Sequence, residues 1–442
     1  MDAEVLIVGA GFAGLNAAWE LQRNGIHVRV VEARDRVGGR SLSRRFGSDT
    51  LDLGGQWLGP GQRRALALVR ELGLETFLQP HAGGKLLELA GRVRRYEGTI
   101  PRVDLPSLLL LQATIERLER LRLKVSVDAP WEAPQRWDTL TLETWLRRNV
   151  PTPSARRLLT IAARAILAVE PAELSFLHFL FYLNSGGGLM RLANVEGGAQ
   201  ERRVVGGTQQ IAQGLAARLD EPVLLDAPVR AIVQDGSGVR VESDRGTLRA
   251  ERVVVALPPA LAARIHYAPA LPAKRDQLTQ RMVMGSAIKV LVRYERAFWR
   301  DEGLSGEAVS DQGPLRLVFD DSAHDGSQAC LVGFFLGHTA LRYSDRPNAR
   351  RRAALETLAR LFGPQARAPV DYVDQDWPAE PFSRGCYVGI LGPGAWTSCG
   401  DALRAPCGRI HWAGTETARE WCGYFEGALE SGERAAREVL RG

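Results

Sequence analysis

Cysteine is scarce in this chain, and its spacing excludes the usual cysteine-based sites. Five of the 442 residues are cysteines, and the four that follow residue 385 contain no C-x-x-C pair, so a zinc site is not expected. An odd number of cysteines does not fit a disulfide framework either. The sequence therefore predicts no metal site, and it favours a reducing compartment.

Long apolar runs and blocks of positive charge are absent as well. No uninterrupted apolar stretch approaches the ~20 residues of a membrane helix. The first predicted strand begins at residue 4, which leaves no room for a signal peptide, and no anchor tail follows the last predicted helix. The 57 basic residues are dispersed among 51 acidic ones, which argues against nucleic acid. We expect a cytoplasmic protein that binds neither membrane nor nucleic acid, and we allow for a homodimer.

The most informative stretch that is present is a glycine-rich turn near the start of the chain. Residues 4–8 predict an apolar strand, the turn carries Gly9, Gly11 and Gly14 in the pattern Gly-x-Gly-x-x-Gly, and a helix is predicted to follow. Such a turn lets the backbone approach a pyrophosphate, which the helix N-terminus then stabilises. The second predicted strand ends in Glu32, whose carboxylate can accept hydrogen bonds from a ribose hydroxyl. Together these features predict a dinucleotide site.

The order of strand and helix patterns predicts the domain organisation. Helical patterns dominate residues 79–204, and residues 280–378 form a second region without nucleotide-binding motifs. We therefore predict an α/β fold with a Rossmann-like FAD-binding domain assembled from residues 1–78, 205–279 and 379–442. The two intervening regions are predicted to form an α+β substrate domain. This arrangement is typical of large FAD oxidoreductases.

Further residues beside glycine pairs and strand ends are candidates for contacts with the cofactor. Two arginines beside backbone-exposing glycines are able to line the far side of the pyrophosphate, although surface turns also use such residues. The candidates outside the first turn are Arg34, Gly39, Arg40, Gly55, Gln56, Trp57 and Val229.

Four blocks of sequence resemble the flavin-containing monoamine oxidase family, over essentially the whole chain. The blocks are residues 8–14 with 32–34 and 38–40, residues 197–207, residues 285–289, and residues 383–387 with 413–424. The resemblance implies FAD as cofactor and a small-molecule amine as substrate. It also implies oxidation of the amine to an imine, which water hydrolyses to an aldehyde or ketone, while O₂ is reduced to H₂O₂.

The resemblance also assigns roles to individual residues around the reacting centre. Tyr387 and Tyr424 match two aromatic rings that stand before the flavin and hold the amine between them. Lys289 matches a lysine that binds a water molecule at flavin N5, and Gln200 matches a glutamine of the substrate cavity. From the residues alone, the two tyrosines could equally be core residues, and a lysine on such a strand is usually exposed to solvent.

At the cofactor, the resemblance implies a covalent bond and several contacts. Cys386 matches the cysteine that forms an 8α-thioether to the flavin in mitochondrial members, although a small buried residue is the plainer interpretation. Gly414, Thr415 and Glu416 match contacts with the ribityl–pyrophosphate part of FAD. Phe425 stands where the family usually has methionine, and there the backbone contacts the flavin ring.

Other functions remain open on sequence grounds. An amino-acid oxidase of the same fold would need an arginine for the substrate carboxylate, and the chain is rich in arginine. A polyamine oxidase would need acidic residues around the cavity, for which Glu170, Glu173 and Glu196 are available. From outside the enzymes, a flavin-bound interaction module is the alternative, and a colourless NAD(P)-dependent reductase would leave the C-terminal blocks without a use.

Overall fold

The computed structural model describes residues 1–98 and 103–441, which form 21 strands and 16 α-helices. The strands are β1 (Val5–Val8), β2 (Val28–Val31), β3 (Ser43–Phe46), β4 (Asp49–Asp52), β5 (Thr76–Leu78), β6 (Gly84–Leu89), β7 (Arg92–Tyr96), β8 (Arg202–Val204), β9 (Val229–Asp235), β10 (Gly238–Ser243), β11 (Gly246–Ala250), β12 (Arg252–Val255), β13 (His266–Ala268), β14 (Met282–Met284), β15 (Ala287–Tyr294), β16 (Leu304–Ser310), β17 (Leu315–Asp320), β18 (Ala329–Leu336), β19 (Asp371–Asp376), β20 (Gly389–Leu391) and β21 (Ile410–Trp412).

The helices alternate with these strands and are concentrated between β7 and β8. They are α1 (Phe12–Gln22), α2 (Arg63–Glu71), α3 (Leu105–Arg122), α4 (Gln135–Asp138), α5 (Leu142–Asn149), α6 (Pro153–Leu167), α7 (Phe176–Ser185), α8 (Leu189–Ala193), α9 (Gln209–Ala216), α10 (Pro259–Ala262), α11 (Ala273–Arg281), α12 (Phe298–Asp301), α13 (His338–Tyr343), α14 (Pro347–Phe362), α15 (Ala395–Cys399) and α16 (Phe425–Leu440).

A four-stranded parallel sheet in the order β2-β1-β12-β21 forms the first half of the molecule. All residues of its central strands β1 and β12 except Arg252 are buried, as expected for apolar strands covered on both faces. Helix α16 packs tightly on α1, where a side chain at Gly432 would lie 2.4 Å from the carbonyl oxygen of Ala13. Parallel strands bring their carboxyl ends to one edge, so Gly9, Glu32 and Gly414 meet there.

A seven-stranded mixed sheet, in the order β19-β15-β18-β17-β16-β6-β7, forms the second half. Alternate residues of β15 face opposite sides of it. Ile288 and Val290 join the core that packs against α14, whereas Leu291 belongs to a core on the opposite side. Lys289 shares that second side and is only 3% exposed, so the usual solvent-facing position of such a lysine does not apply here.

The local predictions agree with these elements to within a few residues. Helix α1 begins at Phe12, because the turn closes directly onto the predicted helix. Beside β2, Val31 and Leu224 form an isolated parallel bridge. The mixed α/β fold is confirmed, while the domain boundaries stay a prediction. Across residues 1–98 and 103–441, no helix is both long and apolar enough to span a membrane.

Candidate active site

A large cavity runs from the carboxyl edge of the parallel sheet to the mixed sheet, and the empty space between its lining residues, including solvent at its mouth, is about 1560 Å³. Most of the predicted site residues line it, although they come from distant parts of the chain. The predicted residues in its wall are Gly9, Gly11, Glu32, Arg34, Gly39, Arg40, Gly55, Gln56, Trp57, Gln200, Lys289, Cys386, Tyr387, Gly414, Thr415, Tyr424 and Phe425. The three others, Gly14, Val229 and Glu416, lie outside the wall.

The glycine-rich turn keeps the first part of this cavity open. Helix α1 starts directly after Gly11, and no side chain caps its first N–H groups. The Cβ of a side chain at Gly39 would lie 3.3 Å from the Cα of Gly11, so these two glycines face each other closely. Gly14 has a different role, since a Cβ there would lie 1.9 Å from the carbonyl oxygen of Gly9. It allows α1 to pack against the turn.

Replacing Gly11 by alanine tests whether this turn holds a cofactor. The added methyl group would have the Cα of Gly39, 4.0 Å away, as its nearest neighbour from outside its own stretch of chain. The fold is therefore expected to tolerate it. A bound pyrophosphate would meet the methyl group, and a clash of a few kcal/mol lowers affinity roughly 100-fold. We expect Gly11→Ala to unfold like the wild type but to lose flavin absorbance. Gly236→Ala, at a glycine with open space around it, is the matched control and should keep its flavin.

Glu32 is fixed at the sheet edge by backbone donors. One carboxylate oxygen accepts a hydrogen bond from the N–H of Ala10 at 2.7 Å, and the other accepts one from the N–H of Arg34 at 3.1 Å. The Arg34 guanidinium donates to Glu380 at 2.5 Å and to Ser383 at 2.8 Å. Arg34 thus links the first segment of the chain to the segment that carries Cys386.

Glu416 acts through Arg40 rather than in the cavity wall. The Arg40 guanidinium donates to both carboxylate oxygens of Glu416, at 2.7 and 3.1 Å, and to the carbonyl oxygen of Tyr387 at 2.8 Å. Glu416 also accepts the N–H of Gly389 at 3.1 Å. This bidentate pair holds a cationic side chain in the wall, beside the backbone that carries Tyr387.

Hydrogen bonds of a threonine and the stacking of two phenylalanine rings fix the backbone just before α16. The Thr415 hydroxyl donates to the carbonyl oxygen of Tyr424 at 3.1 Å and accepts the N–H of Gly423 at 2.7 Å. The Phe425 ring stacks on Phe12 with centroids 4.6 Å apart. The segment that carries Tyr424 is therefore fixed against the start of α1.

The far end of the cavity is lined by aromatic side chains. Tyr387 lies edge-on to Phe334, with ring centroids 6.3 Å apart, and Tyr424 lies 6.3 Å from Tyr182. Burial raises the pKa of both Tyr387 and Tyr424, so their phenols stay neutral at ordinary pH. The Gln200 amide donates to the carbonyl oxygen of Leu192 at 3.0 Å, and its own oxygen is buried without a partner.

Lys289 reaches the cavity between the two sheets. Its amino group donates to the carbonyl oxygen of Gly54 at 3.0 Å and to the side-chain oxygen of Gln56. It also lies 5.9 Å from the centroids of both Trp57 and Phe334. Burial lowers the pKa of Lys289 to about 8, and Asp321 and then Asp52 act against this shift. The lysine is therefore poised to change its charge near neutral pH.

Cys386 lies in the wall as a buried thiol. Burial raises its pKa to about 12, although Arg40 and then Lys289 act in the opposite direction. The thiol is therefore protonated at neutral pH, and a reaction of its thiolate becomes faster as the pH rises.

These residues fit an extended flavin dinucleotide. An uncapped helix N-terminus, a carboxylate at the second strand end, two cationic side chains and facing glycines form a groove of the kind that holds a ribose and a pyrophosphate. Val229 begins β9 outside the cavity wall, so its contact with the cofactor stays a prediction. Sequence reasoning assigned no role to Glu380, Ser383 or Asp321, since their partners lie more than 100 positions away.

Comparison with known proteins agrees with this geometry. The profile of the family described as flavin containing amine oxidoreductase matches residues 12–440. The chain belongs to this family. A Dictyostelium discoideum protein named Probable flavin-containing monoamine oxidase A is 43% identical, over 99% of this chain and 97% of the relative.

Two solved structures extend the comparison to the fold. Cyclohexylamine oxidase from Brevibacterium oxydans is 33% identical with a TM-score of 0.95, covering 100% of this chain and 99% of that one. A putrescine oxidase solved with putrescine is 32% identical with a TM-score of 0.95, covering 100% of both chains. As a member of the family, the protein is an FAD-dependent oxidoreductase that oxidises small-molecule amines.

Proposed function

We propose that the enzyme oxidises a primary or secondary amine with an apolar or aromatic body, held between Tyr387 and Tyr424. The observation that carries this proposal is the position of both tyrosines in one cavity wall with Lys289 and Gln200. The rest of that end is apolar, with Ile166, Leu317, Phe319 and Phe334 in the wall. Such a surface stabilises the body of an apolar amine by excluding water from it.

The side chains around the amine favour both its binding and its reactive form. The faces of the two tyrosine rings attract an ammonium group as it enters. A water-poor cavity then lowers the pKa of the amine, which favours the neutral form that can be oxidised. The unpartnered oxygen of Gln200 is free to accept an N–H of the substrate. When bound, the flavin supplies the electron acceptor for oxidation at the carbon next to nitrogen.

Lys289 is proposed to assist the same reaction from the opposite side of the cavity. Its ammonium form stabilises negative charge that develops on the cofactor or on oxygen, and low local polarity strengthens this effect. We propose O₂ as the electron acceptor and H₂O₂ as the second product. We also propose that the Sγ atom of Cys386 is bonded covalently to the flavin. Forming this bond would replace the thiol S–H and one C–H of the flavin 8α carbon by an S–C bond, and O₂ would take up the two electrons and two protons as H₂O₂.

The charges of the cavity wall favour monoamines over diamines and amino acids. Glu32, at the sheet edge, is the one carboxylate among the described residues of the wall. None of Glu170, Glu173 and Glu196 lies in that described wall, so a second ammonium group has no evident partner. Of the two arginines in the wall, Arg40 is already paired with Glu416. A substrate carboxylate would have to compete with that pair.

A peroxide-release assay over a panel of amines tests this proposal. The panel compares benzylamine, tyramine, putrescine and several amino acids, with wild type, Tyr387→Ala with Tyr424→Ala, and the matched Phe substitutions. We expect fastest turnover with the aromatic monoamines. We expect the double Ala variant to lose about 100-fold in kcat/KM while it keeps its flavin, and the double Phe variant to lose about tenfold or less.

Two results would contradict the proposal. Putrescine or an amino acid turning over faster than every aromatic monoamine would reject the substrate class. Loss of flavin with no loss of turnover per bound flavin in the Ala variant would make the tyrosines structural.

We propose the cytoplasm as the compartment, since all five cysteines are free and buried in the fold. A homodimer also stays a proposal, and light scattering of the purified protein measures it.

A further inference from the structure

A buried relay of polar side chains lies behind Lys289. Gln56 is 2% exposed, and its side-chain oxygen accepts a hydrogen bond from the Lys289 amino group. Its side-chain nitrogen donates to an oxygen of Asp321 at 2.8 Å. Asp321 is fully buried, and its second oxygen lies 3.4 Å from the Arg203 guanidinium. The relay therefore runs from Arg203 through Asp321 and Gln56 to Lys289.

The amide of Gln56 has a fixed orientation in this relay. A carboxylate only accepts hydrogen bonds, so it selects the NH₂ end of the amide, and the oxygen end is left for the lysine. Asp321 is itself held in place, because its backbone N–H donates to the carbonyl oxygen of Cys330 at 2.8 Å. Arg203 is held by the carbonyl oxygen of Ser322 at 2.9 Å. The directions of the two hydrogen bonds of Gln56, to Asp321 and from Lys289, thus follow from the carboxylate.

The charge of Lys289 decides what it presents to the cavity. An ammonium has three N–H donors, and the oxygens of Gly54 and Gln56 use two of them. One donor is therefore left for the cavity that Lys289 lines. A neutral amine has only two N–H donors, so the same contacts would leave a lone pair there instead. Loss of one proton changes the lysine from a donor to an acceptor at the reacting centre.

We propose that Asp321 is a positioning residue that acts through Gln56 to keep Lys289 an oriented cation, with one N–H left for the cavity. This inference extends the role proposed for Lys289. Only the expected effect of Asp321 on catalysis rests on that proposed role. The relay itself stands on the contacts of side chains that are almost fully buried.

The other charged groups near Lys289 are consistent with this assignment. Asp52 is the second carboxylate, but it is already bound by Thr208 and by the Ser43 hydroxyl at 2.6 Å. Arg203 lowers the pKa of Lys289, and among the nearby groups Asp321 raises it most. The titratable groups that face Lys289 from the surrounding elements are Asp52, Arg203, Asp321, Cys330 and Cys386.

The scarcity of lysine makes the charge of Lys289 measurable in the holoenzyme. The chain contains four lysines, Lys85, Lys124, Lys274 and Lys289. Protein labelled with [ε-¹³C]lysine therefore gives four signals, and the one missing from Lys289→Met belongs to Lys289. Its chemical shift against pH reports the pKa of the amino group without any turnover.

We expect Asp321→Asn to lower the pKa of Lys289 by at least about one pH unit, which makes the protonated fraction about tenfold smaller at pH values well above the original pKa. Asparagine keeps the shape and can still accept from Gln56, so only the charge is lost. Asp321→Glu should restore much of the pKa. The matched control is Asp320→Asn, the adjacent buried carboxylate, which binds Trp299 and Arg300 instead, and there the pKa should change little.

An unchanged pKa of Lys289 in folded Asp321→Asn would overturn the proposal. If that variant does not fold, the pKa of Lys289 is measured in Gln56→Met instead. This substitution removes the amide that joins Lys289 to Asp321 but leaves the Asp321 carboxylate in place. A lowered pKa in Gln56→Met supports the relay, and an unchanged one rejects it. The titrations of Lys289 do not depend on turnover. If the protein did not oxidise amines, they would still test the role of Asp321, so the proposed function and the proposed relay can be rejected independently.

Discussion

Replacing Lys289 by methionine is expected to slow amine oxidation by roughly 100-fold or more, the usual cost of removing one preorganised charge or donor from a reacting centre. Methionine keeps the length and the apolar stem but removes the ammonium group. The site should still bind flavin, because the predicted pyrophosphate contacts come from the opposite sheet. Anaerobic stopped-flow mixing with amine and separate mixing of reduced enzyme with oxygen show which half-reaction slows.

Stability gives a second expectation for the same variant. Lys289 is a buried charge that donates to the oxygens of Gly54 and Gln56, and removing one member of a buried charged network leaves its partners unpaired, which is usually destabilising. The melting temperature of Lys289→Met should therefore fall by several degrees, so the rates are compared at a temperature where both proteins are folded. Lys274→Met is the control, because Lys274 lies at the surface and pairs with Asp401 at 2.7 Å. Rate constants within about twofold of wild type in both half-reactions would remove Lys289 from the reaction.

Replacing Cys386 by alanine is expected to convert a covalently bound flavin into one that acid releases completely. Acid precipitation of the wild type should leave a yellow pellet, whereas the Cys386→Ala pellet should be colourless with its flavin in the supernatant. The structural reason is that Cys386 is a small buried thiol in the cavity wall. A colourless wild-type pellet would reject the covalent bond outright.

The rate at which the bond forms should depend on pH. Because the Cys386 pKa is raised to about 12, the thiolate fraction grows about tenfold per pH unit between pH 7 and 9. Reconstitution of apoprotein with FAD should therefore become covalent faster as the pH rises. In the acid-precipitation test, Cys422→Ala is the control. Cys422 is also buried but lies outside the described cavity wall, so the pellet of this variant should stay yellow. A rate independent of pH would mean that thiolate formation does not limit the reaction.

The parts of the fold that depend on neighbouring residues were predictable. An apolar strand, a turn with glycines at fixed spacing and a following helix are encoded within about 20 residues, and the structure forms them at β1 and α1. The same holds for the buried parallel strand β12, whose run of valines predicts a strand covered on both faces. Family motifs then placed Lys289, Tyr387 and Tyr424, and all three line one cavity.

The environments of these residues were not predictable from spacing. Lys289 follows an alternating strand pattern that usually places a lysine in solvent, but Gly54 and Gln56 cover it. Gln56 and Asp321 are 265 positions apart in sequence. The partner of Arg34, Glu380, is 346 positions away. No local pattern marks either acid.

The amino-acid sequence by itself determined the fold class and the glycine-rich turn, and it supplied the candidates for the reactive side chains. Hydrophobic period and turn chemistry are properties of short segments, which is why these features are readable without a structure. Only the tertiary structure decided which face of β15 is covered, which acid lies behind Gln56, and that Cys386 is buried in the cavity wall. Those properties depend on burial and on contacts between distant segments, which form only when the two sheets pack together.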